Sequence, residues 1–134
     1  MKSSFTTEEL AQAIKTFKSS MSKCEKALPK LKEGSPQRKW VNKQLEAYYI
    51  AISLIEKLSG DEQQLKKRYT EQELNNAAKT LEQLIAKCEI LPAKFRDGSP
   101  QKTLALKRLK AFYIALDAIL SLLTFTPIQK AVTD

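Results

Sequence analysis

Histidine is absent from this 134-residue chain. That removes the commonest general base and metal ligand, and with it the HExxH zinc pattern and the carboxylate–histidine di-iron site of four-helix bundles. Glycine is limited to three residues and cysteine to two. Neither the GxxxxGK[ST] nor the GxGxxG phosphate loop occurs, and two cysteines make no disulfide framework. Long hydrophobic runs are missing as well. The most apolar stretch, Phe112 to Phe125, contains Asp117 and is too short to span a bilayer. The opening residues, Met1 to Glu9, lack the apolar core of a secretory signal. Together these absences lead to the expectation of a non-enzymatic, cytoplasmic protein with no metal, no cofactor and no membrane partner.

What the chain has in abundance is itself. Residues Phe5–Leu58 reappear as Tyr69–Leu122 at a constant offset of 64, with about two in five positions identical. A unit of that length is too small for a deep core of its own, so two copies are expected to share one core. The Ala, Glu, Lys, Leu and Gln content favours helix. Each copy opens with a capping box, Phe5-Thr6-x-x-Glu9-Leu10 and Tyr69-Thr70-x-x-Glu73-Leu74. A stripe spaced alternately four and three follows in the first copy: Leu10, Ile14, Phe17, Met21, Cys24, Leu28 and Leu31. The second copy repeats it with Leu74, Ala78, Leu81, Ile85, Cys88 and Phe95. This is the seam of a helix that faces another helix. Pro29 and Pro92 are placed to kink or end these helices.

Gly34-Ser35-Pro36-Gln37 recurs as Gly98-Ser99-Pro100-Gln101. Glycine suits C′ of the outgoing helix, serine the N-cap and proline the first position of the incoming one, a tight four-residue turn. The second helices, from about Pro36 to Leu58 and Pro100 to about Thr124, carry Val41, Leu45, Tyr48, Ile52 and Ile55, matched by Ala105, Leu109, Phe112, Leu116 and Ile119. Their C-terminal halves are apolar nearly all round, which predicts contact with more than one neighbour or a homodimer. The fold class expected is all-α: two tandem helical hairpins (5–60 and 69–125) joined by a charged linker (61–68), packed as an antiparallel four-helix bundle with pseudo-twofold symmetry, and followed by a tail (126–134).

The net charge of +8 is unevenly spread. From Lys23 to Lys43, seven basic residues face two acids, and from Lys87 to Lys110 the same ratio holds. The remaining residues net −2. Positive charge thus collects around the two hairpin turns, where each incoming helix also starts. Free amides and the positive dipole end favour anions there. The candidate anion-binding residues are Lys30, Lys32, Ser35, Arg38, Lys39 and Lys43 in the first copy. In the second they are Lys94, Arg96, Ser99, Lys102, Lys107, Arg108 and Lys110. Phosphates of a nucleic acid or nucleotide would be neutralised without base readout, with a steep salt dependence. The competing interpretation is a solvated loop with lysines around it. Helix-turn-helix, zinc-knuckle and RRM signatures are all absent. Trp40 could stack a base or pack against Leu31 or Phe95 near the turn.

A second function class is a protein-interaction module, such as a small regulator or inhibitor. It would act through Tyr49 and Tyr113, with Trp40 nearby, or by docking the same charges onto an acidic protein. Exposed tyrosines would favour it. Cys24 and Cys88, each flanked as Lys-Cys-Glu, read as buried small hydrophobes, although neighbouring lysines could lower a thiol pKa and a disulfide across the pseudo-twofold is geometrically feasible. Glu46 and Asp117, mid-helix and without counterparts across the repeat, are expected to be surface salt-bridge partners.

The hairpins resemble a family of small helical-hairpin proteins of Firmicutes, in which Lys-Cys-Glu precedes Gly-Thr/Ser-x-Gln and an Arg-Ile-Lys-Ala-like run. The second copy matches best, with Lys87-Cys88-Glu89, Gly98-Ser99-Pro100-Gln101, Thr103-Leu104 and Arg108-Leu109-Lys110-Ala111. The first keeps Lys23-Cys24-Glu25 and Gly34-Ser35-Pro36-Gln37, then departs with Gln44 and Glu46 where Arg108 and Lys110 stand. The resemblance implies a bacterial, phage or mobile-element origin and adds little about mechanism. If Arg108 and Lys110 contact a ligand, the second hairpin should dominate.

Overall fold

A computed structural model of the chain describes residues 5–57, 68–90 and 92–124. Every regular element among them is helical: α1 (Thr7–Ala27), α2 (Pro36–Glu56), α3 (Glu71–Glu89) and α4 (Pro100–Thr124), with 3₁₀ turns at Leu28–Lys30 and Pro92–Lys94. The four helices pack against one another. α2 and α4 each touch all three other helices, as their nearly all-round apolar halves predict. The sequence assignments for the linker at 61–67 and the tail at 126–134 lie outside the described residues.

Local chemistry sets the helix starts. The Thr6 and Thr70 hydroxyls accept from the Glu9 and Glu73 amides at 3.0 Å. The Glu9 and Glu73 carboxylates accept from the Thr6 and Thr70 amides at 2.9 Å. Both capping boxes are therefore complete. Ser35 and Ser99 cap α2 and α4 by accepting from the Arg38 and Lys102 amides at 3.2 Å.

The hairpin turns are longer than the four residues expected. α1 gives way to its 3₁₀ turn at Leu28, because Pro29 has no amide to continue the ladder. The glycines are accordingly not C′ residues of the outgoing helices. They sit inside separate turns closed by Ser35 N–H to Lys32 O and Ser99 N–H to Arg96 O, both 3.0 Å. There Gly34 and Gly98 adopt φ of 81° and 80°, a region that penalises any side chain.

The core is built on three rings. Phe17 lies 5.5 Å from Tyr48 and 6.0 Å from Phe112, both tilted. Tyr48 and Phe112, equivalent positions of the two copies, stack at 6.4 Å. Ala47, Ala51, Ala111 and Ala115 are fully buried, and their small side chains let α2 and α4 approach closely. The seam is deeper on α3 than on α1. Leu74, Ala78, Leu81 and Ile85 are buried, whereas on α1 only Phe17 of the predicted stripe is, with Leu10, Ile14, Met21 and Cys24 half-buried. α3 also buries Ala77, Thr80 and Leu84 on a second face. The Thr16 and Thr80 hydroxyls return to the Gln12 and Asn76 carbonyls one turn back, so their burial leaves no unpaired donor.

Truncating Phe17→Ala removes the ring shared by two of the three aromatic contacts, leaving the Tyr48–Phe112 stack, and should cost about 3–5 kcal/mol in urea unfolding. Gly34→Ala has open space around the new methyl. Its expected loss of about 1–2 kcal/mol comes from the backbone conformation alone.

Candidate anion-binding surface

The thirteen basic and serine candidates divide by what they already touch. Arg38 donates to the Leu31 carbonyl at 3.1 Å and clamps the first turn from inside. Lys102 pairs with Asp97 across the second turn, holding the Asp97 carboxyl below its ordinary range. Lys110 reaches across to Glu9 in the first turn of α1, so it serves a helix–helix contact. Its ammonium is the main reason the Glu9 carboxyl is also held low, with the capping bond second. Arg108 is half-buried near Cys88 and Tyr48. These four are committed in part to the fold.

The rest are not. Lys30, Lys32, Lys39, Lys43, Lys94, Arg96 and Lys107 are exposed, and none makes an ion pair among the described residues. Lys30 and Lys94 end the two 3₁₀ turns, with Lys32 and Arg96 two residues on. The helix starts contribute less than expected to anion binding. Proline removes the first amide and serine occupies the third, leaving Gln37 and Gln101 to offer one each.

Lys39 and Lys43 open onto a cleft of about 850 Å³ between α2 and α3. Lys79 joins them there, but Glu46 and Glu73 line the same cleft, so its charge is mixed. Lys79 escaped the sequence analysis because it lies outside both basic windows. Lys87 was counted within a window, yet its partner could not be foreseen: its ammonium sits 4.6 Å above the Trp40 ring. Trp40 is half-buried against the core, a packing role more than a stacking platform. This contact also joins the end of α3 to the start of α2.

Tyr49 and Tyr113 are exposed, at 53% and 42%. Their hydroxyls donate to Glu25 (3.4 Å) and Glu89, the acids of the two Lys-Cys-Glu motifs. For Tyr113 that carboxylate raises the phenol pKa, because the bond favours the protonated ring. The repeated motif thus ties each first helix to the outer face of its own second helix. Glu46 and Asp117 make no ion pair among the described residues, contrary to the expectation for them.

Cys24 and Cys88 are free thiols and half-buried, less enclosed than the sequence suggested. Burial is the leading influence and pushes both pKa values up. Glu25 adds to the rise at Cys24, and Arg108 opposes it at Cys88. The neighbouring lysines do not activate them.

The chain matches no protein-family model, and neither a curated protein nor a solved structure shows significant similarity to it.

With both thiols shifted toward the protonated form, a disulfide reagent at pH 8 should label the folded protein more slowly than free cysteine. Labelling should accelerate when urea unfolds the chain. Labelling of the folded protein faster than free cysteine would instead reveal an activated thiolate.

Proposed function

We propose that this protein is a non-catalytic binding module whose two hairpin turns engage a polyanion or a phosphate-bearing ligand, a nucleic acid or a nucleotide. The observation that carries this reading is the cations around the turns. Lys30, Lys32, Lys94, Arg96 and Lys107 stay exposed without an acidic partner among the described residues, whereas Lys102 and Lys110 are paired with acids and Arg38 is bound to a backbone carbonyl. Unpaired like charges held close together repel, and an anionic ligand relieves that repulsion. In this reading the two hairpins are related by a pseudo-twofold axis as an antiparallel bundle, and each supplies one lobe of the site. The identically placed caps, glycine turns and tyrosine–glutamate bonds support that arrangement. The hairpin motifs support, in the same reading, a bacterial or mobile-element origin of the Firmicutes type and a cytoplasmic setting.

The exposure of Tyr49 and Tyr113 favours a second reading, a protein-interaction module that presents the outer faces of α2 and α4. Docking of an acidic protein onto the turns would use the same cations as a nucleic acid.

Fluorescence anisotropy with labelled random-sequence DNA and RNA tests the leading reading. Neutralising about five phosphates should cost a few hundred-fold in affinity between 50 and 200 mM salt. The combined variant Lys30→Gln, Lys32→Gln, Lys94→Gln, Arg96→Gln should lose at least about tenfold at 50 mM salt while keeping its unfolding midpoint, since each phosphate contact removed lowers the salt slope. Absence of binding at 50 mM salt, or binding indifferent to the four substitutions, would exclude the nucleic-acid form of the proposal.

A further inference from the structure

α4 carries a second apolar seam that the bundle does not fill. Three of the exposed large apolar side chains, Leu106, Tyr113 and Leu120, stand seven residues apart on it, at 48%, 42% and 45% exposure. Leu109, Leu116 and Leu123 fall three residues after each and are half-buried at the edge of the core. Spacings of three and four alternate without a break from Leu106 to Leu123, which is the a/d pattern of a helix with a helical partner. Within the chain, α2 provides the contrast. It has Asn42 and Glu56 where α4 has Leu106 and Leu120, so the first hairpin breaks the seam that the second keeps.

We infer that this seam is a homodimer interface, in which α4 packs antiparallel against α4 of a second copy about a twofold axis. The seam is self-complementary in that direction. With the axis between Ile114 and Ala115, Leu106 meets Leu123 of the second copy, Leu109 meets Leu120, and Tyr113 meets Leu116. Every seam residue then has an apolar partner. The charges agree. Lys110 and Asp117 both follow the d positions, on the same flank of the seam, and an antiparallel pairing sets Lys110 of one copy beside Asp117 of the other, twice. A parallel pairing would not bring these opposite charges together in register. Asp117 is exposed and makes no ion pair among the described residues. Lys110 already reaches Glu9, but it is 54% exposed and its ammonium has two further donors. The seam runs about 26 Å at 1.5 Å per residue and is about 10 Å wide. That footprint, roughly 260 Å² per partner, falls well below the roughly 800 Å² per partner of a standard interface, so the dimer should be weak, with Kd on the order of micromolar or above.

Sedimentation equilibrium from about 5 μM to 1 mM tests this in one series. The wild type should pass from monomer to dimer as concentration rises. Leu106→Glu and Leu120→Glu change exposed side chains, so circular dichroism and the unfolding midpoint should hold while dimerisation weakens at least about tenfold. Lys110→Asp and Asp117→Lys should each weaken self-association. An equimolar mixture of the two should recover it, because opposite charges then face each other at both contacts. A monomer at 1 mM, including one that captures a helix of a different protein on this face, would overturn the proposal. So would a dimer indifferent to both leucine substitutions. A dimer sensitive to the leucines but not recovered on mixing would overturn the antiparallel pairing.

Discussion

The meeting of Phe17, Tyr48 and Phe112 is the constraint on which the rest of the structure depends. It takes one ring from α1, one from α2 and one from α4, and the Leu81 that replaces the fourth is equally buried on α3. No hairpin of this size could enclose such rings alone, because a small unit leaves too much of its apolar surface in water. The alanines beside them on α2 and α4 make the arrangement feasible, since bulkier residues at 47, 51, 111 or 115 would hold the rings apart. Tyr48 keeps a polar end in this setting by donating to Gln44 at 3.2 Å. Burial then raises its phenol pKa, so the ring stays neutral in the core.

Once the helices are held this way, the turns inherit their shape from proline and glycine. Pro29 and Pro92 deny the helices an amide, the chain tightens into a 3₁₀ turn, and a glycine at positive φ reverses it toward a serine cap. This geometry puts lysine and arginine on a short exposed segment where few acids can reach them. Two local acids illustrate the limit. Asp97 is spent on Lys102, and Glu33 makes no ion pair among the described residues. The concentration of free positive charge at the turns is therefore a consequence of how the turns are made as well as of composition.

The two hairpins share their caps and turns but differ on their outer faces. α2 presents Asn42 and Glu56 around Tyr49, and α4 presents leucines around Tyr113. A duplicated unit with one face kept apolar and the other made polar can bind one partner on one side only.

Much of the architecture is legible in the sequence because it rests on local rules. Capping boxes, proline breaks, glycine turns and the alternating three–four spacing each act within a few residues, and each appears twice, at an offset of 64 except for Pro29 and Pro92, which stand one residue out of register. The charge windows are equally local. Tertiary structure decided which of these residues were left over. Lys110 and Arg38 look like the other cations in the sequence, yet one is bound to Glu9 from the far end of the chain and the other to a backbone carbonyl of the turn. The heptad from Leu106 to Leu123 could be read directly, but its exposure could not, because a three–four stripe says that a helix has a partner and not whether that partner lies in the same chain. The sequence by itself determined the helices, their ends and the sign of the charge, since these depend on neighbours along the chain. Which cations remain free, and which apolar face remains open, followed only from the packing of all four helices, since burial is a property of residues distant in sequence.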